Sequence, residues 1–318
     1  MTHRAVWQAC LVLLLLGFAP LARGAEPAAE PQKLFCWKVT GPEGGTAFLF
    51  GTIHVGRADF YPLPAVIEAA FKKANTLVTE TDLTEEQSSN RLMKLVAQNG
   101  TYPLGDSVEN HIAEQTRAHL QPYMLKTKEL ASDYYRLKPW LLSVSIAVIE
   151  TKRMGFDASQ GLDRHFVDEA VAMRKPIDTL ETTGSQLELM NSFSDELQDR
   201  LLLSALLEAE HTSEVMERML RAWKSGDADA LEETKTLYVH NYASLKPVFD
   251  KMFDQRNDAM TQKIEAFLQT PKTVFVAVGA GHLTGERGIL SQLRAKNYTV
   301  EQLHDKPLHN AAATENPN

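Results

Sequence analysis

Two cysteines in 318 residues are too few for a disulfide framework or a cysteine-rich metal site. Cys10 falls in an N-terminal leader pattern, which leaves Cys36, next to Trp37, as a lone small buried apolar group. No apolar run after the leader reaches the ~20 residues that a membrane helix needs. The leucine-rich stretch from Leu201 to Leu207 is expected to be a buried helix face. No block of Lys and Arg offsets the acidic excess, 41 acidic against 33 basic residues. An acidic chain of this kind is a poor partner for nucleic acid or anionic lipid. No repeat of fixed period is present.

What the chain does have begins with that leader. Arg4 supplies a basic start, Leu11 to Ala19 an apolar stretch, and Ala22-Arg23-Gly24 a small-x-small cleavage pattern. Residues 1–24 are therefore expected to be a signal peptide cut before Ala25, making the protein periplasmic or secreted. Removing them takes two of the 33 basic residues and none of the 41 acidic ones, so the formal charge moves from −8 to −10. Residues 25–33 form a flexible Ala/Pro/Glu-rich leader, 34–305 a single domain, and 306–318 a polar disordered tail.

Within the domain, Leu34 to Thr40 and Thr46 to Gly51 flank a glycine-rich turn and predict a β-hairpin. Pro62 and Pro64 introduce a helix from Ala65 to Ala74, and Thr76 to Glu80 is a second short strand. A helical insertion of about residues 84–268 follows. It opens at Thr84, and its helices are expected over Ser107–Leu120, Pro122–Tyr135, Pro139–Met154, Gly161–Met173, Ser185–Phe193, Glu196–Lys224, Asp227–Val239 and Leu245–Leu268. Inside it, Pro176 to Glu181 is a further strand. Thr273–Val278 and Tyr298–Leu303, separated by a helix over Gly288–Ala295, close the fold. The fold class is α/β, with α+β as the alternative: a central mixed sheet carrying a large helical insertion.

A Gly-x-x-His tetrapeptide occurs twice, as Gly51-Thr52-Ile53-His54 and Gly279-Ala280-Gly281-His282, each at the carboxyl end of an apolar strand. Ligands gather at that end of α/β strands. If the strands are parallel, His54, Glu80, Glu181 and His282 emerge at one sheet edge. Two imidazoles and a carboxylate suit a catalytic divalent metal, or metal-free general acid–base chemistry. Gly51 and Gly279 are expected to turn the chain off its strand, and Gly281 to admit backbone close to a ligand.

The flanking residues carry more. Phe48-Leu49-Phe50-Gly51-Thr52-Ile53-His54-Val55-Gly56 followed by Leu77-Val78-Thr79-Glu80 resembles the amino-terminal signature of the TraB/GumN family, which includes the pheromone-shutdown protein PrgY and the Tiki metalloproteases that act on Wnt proteins. The likeness continues in Leu137-Lys138-Pro139-Trp140, Gly161-Leu162-Asp163-Arg164-His165-Phe166, Leu180-Glu181-Thr182, Gln255-Arg256-Asn257-Asp258-Ala259-Met260 and Val278-Gly279-Ala280-Gly281-His282-Leu283. The chain looks most like the exported GumN-type branch. The resemblance implies a divalent-metal-dependent peptidase-like hydrolase, with manganese or cobalt ahead of zinc. On that reading His54, Glu80 and His282 hold the metal, Glu80 serving as ligand or general base. Arg256 and Asn257 match the family's helical Arg-Asn pair, and Arg256 would stabilise a developing oxyanion. Two rivals follow from the same relatives: a metal-free hydrolase of the erythromycin-esterase type, and a protein that sequesters a peptide without cutting it. A role in exopolysaccharide production rests on the GumN name alone.

Other residues have plainer readings. Glu181 is read as a helix cap or a partner of Arg256, Asp163 as an acid favoured by a helix start to which the family resemblance leaves a site role open, and Asp82 as a second-rank site candidate. His111, His119, His211, His240, His304 and His309 lack a strand-end context and are taken as surface residues.

Overall fold

A computed structural model describes residues 31–84, 94–127 and 134–305. The leader, the helix start at Thr84 beyond that residue, His309 and the tail lie outside the described residues.

The expected hairpin is present. Strands β1 (Gln32–Thr40) and β2 (Thr46–Thr52) pair antiparallel with Cys36 opposite Phe50. Gly44, at φ +83°, takes the left-handed turn conformation that glycine adopts without cost. Helix α1 (Ala65–Lys73) follows a proline that cannot itself extend a helix backwards, and ends on Lys72 and Lys73, which suit its negative pole. Next come β3 (Thr76–Thr79), β4 (Ile177–Thr179), β5 (Thr273–Gly279) and β6 (Thr299–Asp305). The sheet order is β4-β3-β5-β2-β1-β6. Strands β2, β5, β3 and β4 are mutually parallel, whereas β1 runs antiparallel to both of its neighbours, β2 and β6. The fold is thus a mixed sheet with a helical insertion.

The parallel registers decide where the site forms. Thr52 pairs with Gly279, Thr79 with Ala277 and with Thr179, so four strands end nearly level. Val274, Phe275, Val276, Ala277 and Val278 of β5 have no exposed surface, as expected of a central parallel strand covered on both faces.

The insertion contains α2 (Glu114–Thr127), α3 (Pro139–Arg153), α4 (Leu162–Ala172), α5 (Thr183–Asn191), α6 (Asp195–Glu208), α7 (Thr212–Lys224) and α8 (Ala228–Asn241). Helix α9 (Lys246–Phe249) runs through a π-helical segment, Asp250–Gln255, into α10 (Arg256–Leu268). After β5 come α11 (Ala280–Leu283) and α12 (Ile289–Ala295).

Two helix boundaries differ from expectation. Ser107 caps only a single 3-10 turn, and α2 passes straight through Pro122. Its buried residues Thr116, Leu120, Tyr123 and Thr127 keep one helical face across the proline. Packing of that face outweighs the main-chain hydrogen bond that proline forfeits. The stretch from Glu196 to Lys224 is two helices, α6 and α7, although no Gly or Pro separates them. Leu202 and Leu206 of α6 join an apolar cluster with Leu142 and Ile146 of α3, whereas Leu220 and Trp223 of α7 join the core around the sheet. One straight helix cannot serve both clusters.

Candidate active site

The segment carrying His54 leaves β2 and is gripped by the entrance to α4. Gly56 and Asp157 exchange main-chain hydrogen bonds at 2.9 Å, and the Leu162 N–H donates to the Ile53 carbonyl at 3.0 Å. A Cβ on Gly56 would collide with the Gln160 carbonyl, and one on Gly161 with the His54 carbonyl, so both glycines are needed for this approach. Docked this way, the first turn of α4 points Asp163 at the strand end. Its carboxylate accepts the Thr52 hydroxyl at 2.6 Å and lies 2.9 Å from His54 Nδ1. An ionised carboxylate only accepts, so Nδ1 carries the proton and Nε2 is left facing the cleft. Two-thirds of the His54 side chain is open to solvent. Desolvation by the surrounding protein pulls its pKa down, but the hydrogen bond and charge of Asp163, with Glu80 behind, lift it to about 9.

The second copy is built differently. Gly279 is the N-cap of α11, and His282 lies inside that short helix, almost fully buried. His282 Nδ1 is 2.7 Å from Asn257 Oδ1, while Asn257 Nδ2 donates to the Arg287 carbonyl at 3.0 Å. The second bond fixes the carboxamide, so Nδ1 of His282 is the donor and its Nε2 keeps the lone pair. The Phe253 ring packs 5.2 Å from the imidazole. Burial drives the His282 pKa down to about 4, with Glu80 opposing and Arg256 assisting. None of Gly51, Gly279 and Gly281 has a positive φ; β2 continues through Gly51, whereas at Gly279 the chain passes from β5 directly into α11. Their role is room. Added Cβ atoms would press on the Phe35 ring at Gly51, on Glu80 Oε1 at 2.9 Å and His54 Nε2 at 3.3 Å at Gly279, and on the Phe253 ring at 3.0 Å at Gly281.

Between the two imidazoles lies a carboxylate–guanidinium cluster. Glu80 Oε1 accepts the Gly279 N–H at 2.6 Å, and Oε2 accepts Arg256 Nη2 at 2.9 Å and stands 3.9 Å from His282 Nε2. Glu181, on the neighbouring strand end, takes Arg256 Nε at 2.9 Å and Nη2 at 2.7 Å. Gln186 of α5 reaches Glu181 at 3.1 Å and Glu80 at 3.4 Å. Burial would raise the Glu80 pKa, but the neighbouring His282, His54 and Arg256, together with the Gly279 N–H, hold it below the ordinary carboxylate value. Arg256 Nη1 donates to the Met252 carbonyl at 3.0 Å. Of the five N–H groups that a guanidinium offers, one on Nη1 then has no acceptor among these contacts.

The structure brings together His54, Glu80, His282, Arg256 and Asn257, and Glu181 joins them as the expected partner of Arg256. Asp82 does not join. Its carboxylate accepts the Thr84 N–H and hydroxyl. Nor is His111 a plain surface residue: it sits between Asp106 and Asp195, stacked on Tyr102 at 4.1 Å. Sequence reasoning missed Gln186 and Thr52, and of the two readings open for Asp163, helix-start acid or site residue, the contacts with Thr52 and His54 fit the second. The signal for Asp163 was its place two residues after a glycine that nothing else required.

Among the described residues, no group of three or more His, Cys, Asp or Glu side chains already lies at metal-holding geometry. The donor chemistry nevertheless fits a divalent cation. Two imidazoles have Nδ1 engaged by a carboxylate or a carboxamide, the outer partners that orient metal-binding histidines. Glu80 is kept ionised, and the space above Gly279 that a Cβ would fill borders both Glu80 Oε1 and His54 Nε2.

Among the described residues, no helix is long and apolar enough to cross a membrane. The model of the TraB/PrgY/gumN family matches residues 35–302. The uncharacterized protein YbaP of Escherichia coli K12 is 25% identical over 258 residues, covering 80% of this chain and 90% of YbaP. Metalloprotease TIKI1 of Danio rerio is 23% identical over 313 residues, covering 83% of this chain and 62% of TIKI1. Human metalloprotease TIKI1 is 23% identical over 335 residues, covering 89% and 65%. The chain thus spans less than two-thirds of either TIKI1 protein but most of YbaP. Matched from the first strand to the last, it belongs to the TraB/PrgY/gumN family.

Proposed function

We propose that this chain is an exported hydrolase that cleaves peptide or amide bonds, with a divalent metal held by His54, Glu80 and His282. The observation that carries the reading is the pair of imidazoles from opposite ends of the chain, each with Nδ1 engaged, His282 Nε2 standing 3.9 Å from Glu80 and His54 Nε2 bordering with Glu80 the same space above Gly279. A divalent metal there supplies Lewis acidity, polarising the scissile carbonyl and making water a nucleophile near neutral pH.

The protonation states favour this reading over acid–base catalysis alone. Metal ligands must be deprotonated. Glu80 is held as the carboxylate and His282 as the neutral imidazole, so two of the three donors are ready, and only His54, on the open side, has a proton to lose. Both Glu80 and His282 are by the same token weak bases at pH 7, short of the matched pKa that efficient general-base catalysis requires. Arg256 ties Glu80 to Glu181 and so fixes the carboxylate; its remaining Nη1 hydrogen is the one it could offer a substrate oxygen. Asn257 and Asp163 hold the two rings.

One observation favours the metal-free alternative. Arg256 Nη2 bonds Glu80 Oε2, the same oxygen that faces His282, where a guanidinium competes with a metal for that carboxylate. In that reading a protonated His54 donates to the leaving amine while Glu80 accepts the proton of water.

The deciding experiment combines metal analysis of the purified protein with mass-spectrometric detection of cleavage in a peptide library. About one transition-metal ion per chain is expected, lost in the His54→Ala/His282→Ala double variant. Full metal content in that variant overturns the metal site. Cleavage that survives exhaustive chelation selects the metal-free reading, and peptide binding without cleavage by any form removes the hydrolase.

A further inference from the structure

The insertion leaves a pocket of about 300 Å³ among α3, α5, α6, α7, α8 and the π-helical segment. It lies where three apolar clusters among the described residues meet: Met216 packs on the core of the sheet, Ala205 on the cluster of α2, α3 and α6, and Met190 and Met252 on a third cluster around Phe193 and Val248. Four of the chain's ten methionines, Met190, Met216, Met219 and Met252, line it. Glu208 is the one charged residue in the lining, and the Tyr242 hydroxyl donates to it at 2.6 Å. Val144, on the rim, is exposed.

Two separate elements run from the cluster into this pocket. Arg256 Nη1 bonds the Met252 carbonyl directly. Gln186, which touches Glu80 and Glu181, lies one turn before Met190 on α5. Four residues of helix advance about 6 Å, and an extended peptide covers that distance in roughly two residues at ~3.3–3.6 Å each. Methionine side chains are flexible and polarizable, so they mould to varied apolar shapes. The volume is at the small end of the ~300–1,000 Å³ of ligand pockets, a size for one side chain or two in place of a whole drug-sized ligand.

We propose that this pocket is the specificity subsite of the hydrolase, holding a large apolar side chain of a peptide substrate two to three residues from the scissile bond. The proposal rests on the peptide-hydrolase reading for its substrate and on the pocket for its selectivity.

The test uses the mature full-length protein and a randomised pentapeptide-amide library, read twice: by affinity selection and by cleavage. Ala147, an exposed lining residue, is replaced by Trp to fill the pocket from its rim, and Val144→Asp places a charge on that rim as a second variant. Wild-type protein is expected to enrich Leu, Met or Phe at one position. Both variants are expected to lower kcat/KM for those peptides by about tenfold or more and so to erase the preference over Ala-containing peptides, with unchanged melting temperature. Cleavage without apolar preference, or a preference indifferent to both substitutions, overturns the subsite and leaves the hydrolase standing. Selection that both variants abolish, with no cleavage by any form, keeps the pocket and overturns the hydrolase.

Discussion

His54 and His282 close the same tetrapeptide, yet one ring lies open on a loop against a carboxylate and the other is buried in a helix against a carboxamide. Side-chain exposure is 66% for the first and 6% for the second. Their pKa values separate accordingly, to about 9 and about 4. The motif therefore sets where each imidazole goes, and the group on its Nδ1, with the depth of burial, sets its charge. Asp163 and Asn257 are as much a part of each copy as its glycine. The third carbon positions that the glycines lack are where the Phe35 ring, Glu80 and His54 stand.

The comparison can be broken by exchanging the partners. The largest effect is expected from Asn257→Asp. A carboxylate on His282 Nδ1 would draw a proton onto a ring that is now neutral, remove the Nε2 lone pair, and bury a new charge in a position only 1% exposed. Loss of about 10²–10⁴-fold in kcat/KM is expected, the range for removing an acid–base group, with folding checked by circular dichroism. Retained activity would show that the charge of His282 is immaterial. Asp163→Asn is the milder exchange. It keeps the shape, drops the charge that holds His54 protonated, and leaves Thr52 bonded to a carboxamide; about 10–100-fold in metal affinity or activity is expected, as for other outer partners of metal-binding histidines. Binding titrations with Mn²⁺ or Co²⁺ measure it, and an unchanged affinity would reduce Asp163 to a helix-start acid.

The architecture of the sheet was legible in the chain because its signals are local. Val274 to Val278 can hardly be anything but a buried strand, and Asp227 and Pro139 mark helix starts through capping chemistry that acts within one turn. The meeting of His54, Glu80 and His282 was legible as well, because parallel strands put equivalent ends level. What could not be read is what depends on distant partners. The break between α6 and α7 has no residue of its own to signal it and arises from two cores pulling one amphipathic run apart. Pro122 within α2 follows from burial of Leu120 and Tyr123, which no local rule supplies. Gln186 is a polar residue in a capped helix until Arg256 and two glutamates are brought to it from residues far away in the chain. Close approach was expected of Gly281 alone, yet side chains crowd the missing Cβ at Gly51 and Gly279 as well, and those neighbours come from distant parts of the chain.

The way each copy is anchored gives a smaller contrast. The Gly51 carbonyl accepts Trp223 Nε1 of α7 at 2.7 Å in a buried position, whereas the Gly281 carbonyl receives Lys235 Nζ at 3.3 Å from a partly buried one. Trp223→Phe keeps a ring against Phe50 and Phe60 and removes the donor together with part of the indole bulk. A loss of about 1 kcal/mol is expected from the missing hydrogen bond, measured by urea unfolding at pH 7. Lys235→Met should cost less than that, and the reverse order would mean that the buried bond at Gly51 is replaced by another donor.

The smallest effect sharpens the rule by taking it outside the motif. His111 has no glycine before it and no strand behind it, but it stands between two carboxylates, 2.9 Å from Asp106 and 3.4 Å from Asp195. Burial pulls its pKa down, and the hydrogen bonds and charges of both aspartates more than reverse that, leaving it raised. A pKa raised on folding means that the protonated form is the one stabilised. That stability is fully present below the ordinary histidine value of ~6.5 and is lost as pH rises through the folded value. His111→Gln is therefore expected to lower the melting temperature by about 1–2 °C near pH 5.5, an amount kept small by solvent screening of a partly exposed pair. By pH 9 the variant and the parent should melt together. A penalty that persists unchanged at pH 9 would assign the role of this ring to its stacking on Tyr102, which does not depend on charge, and would confine partner-controlled protonation to the two histidines of the site.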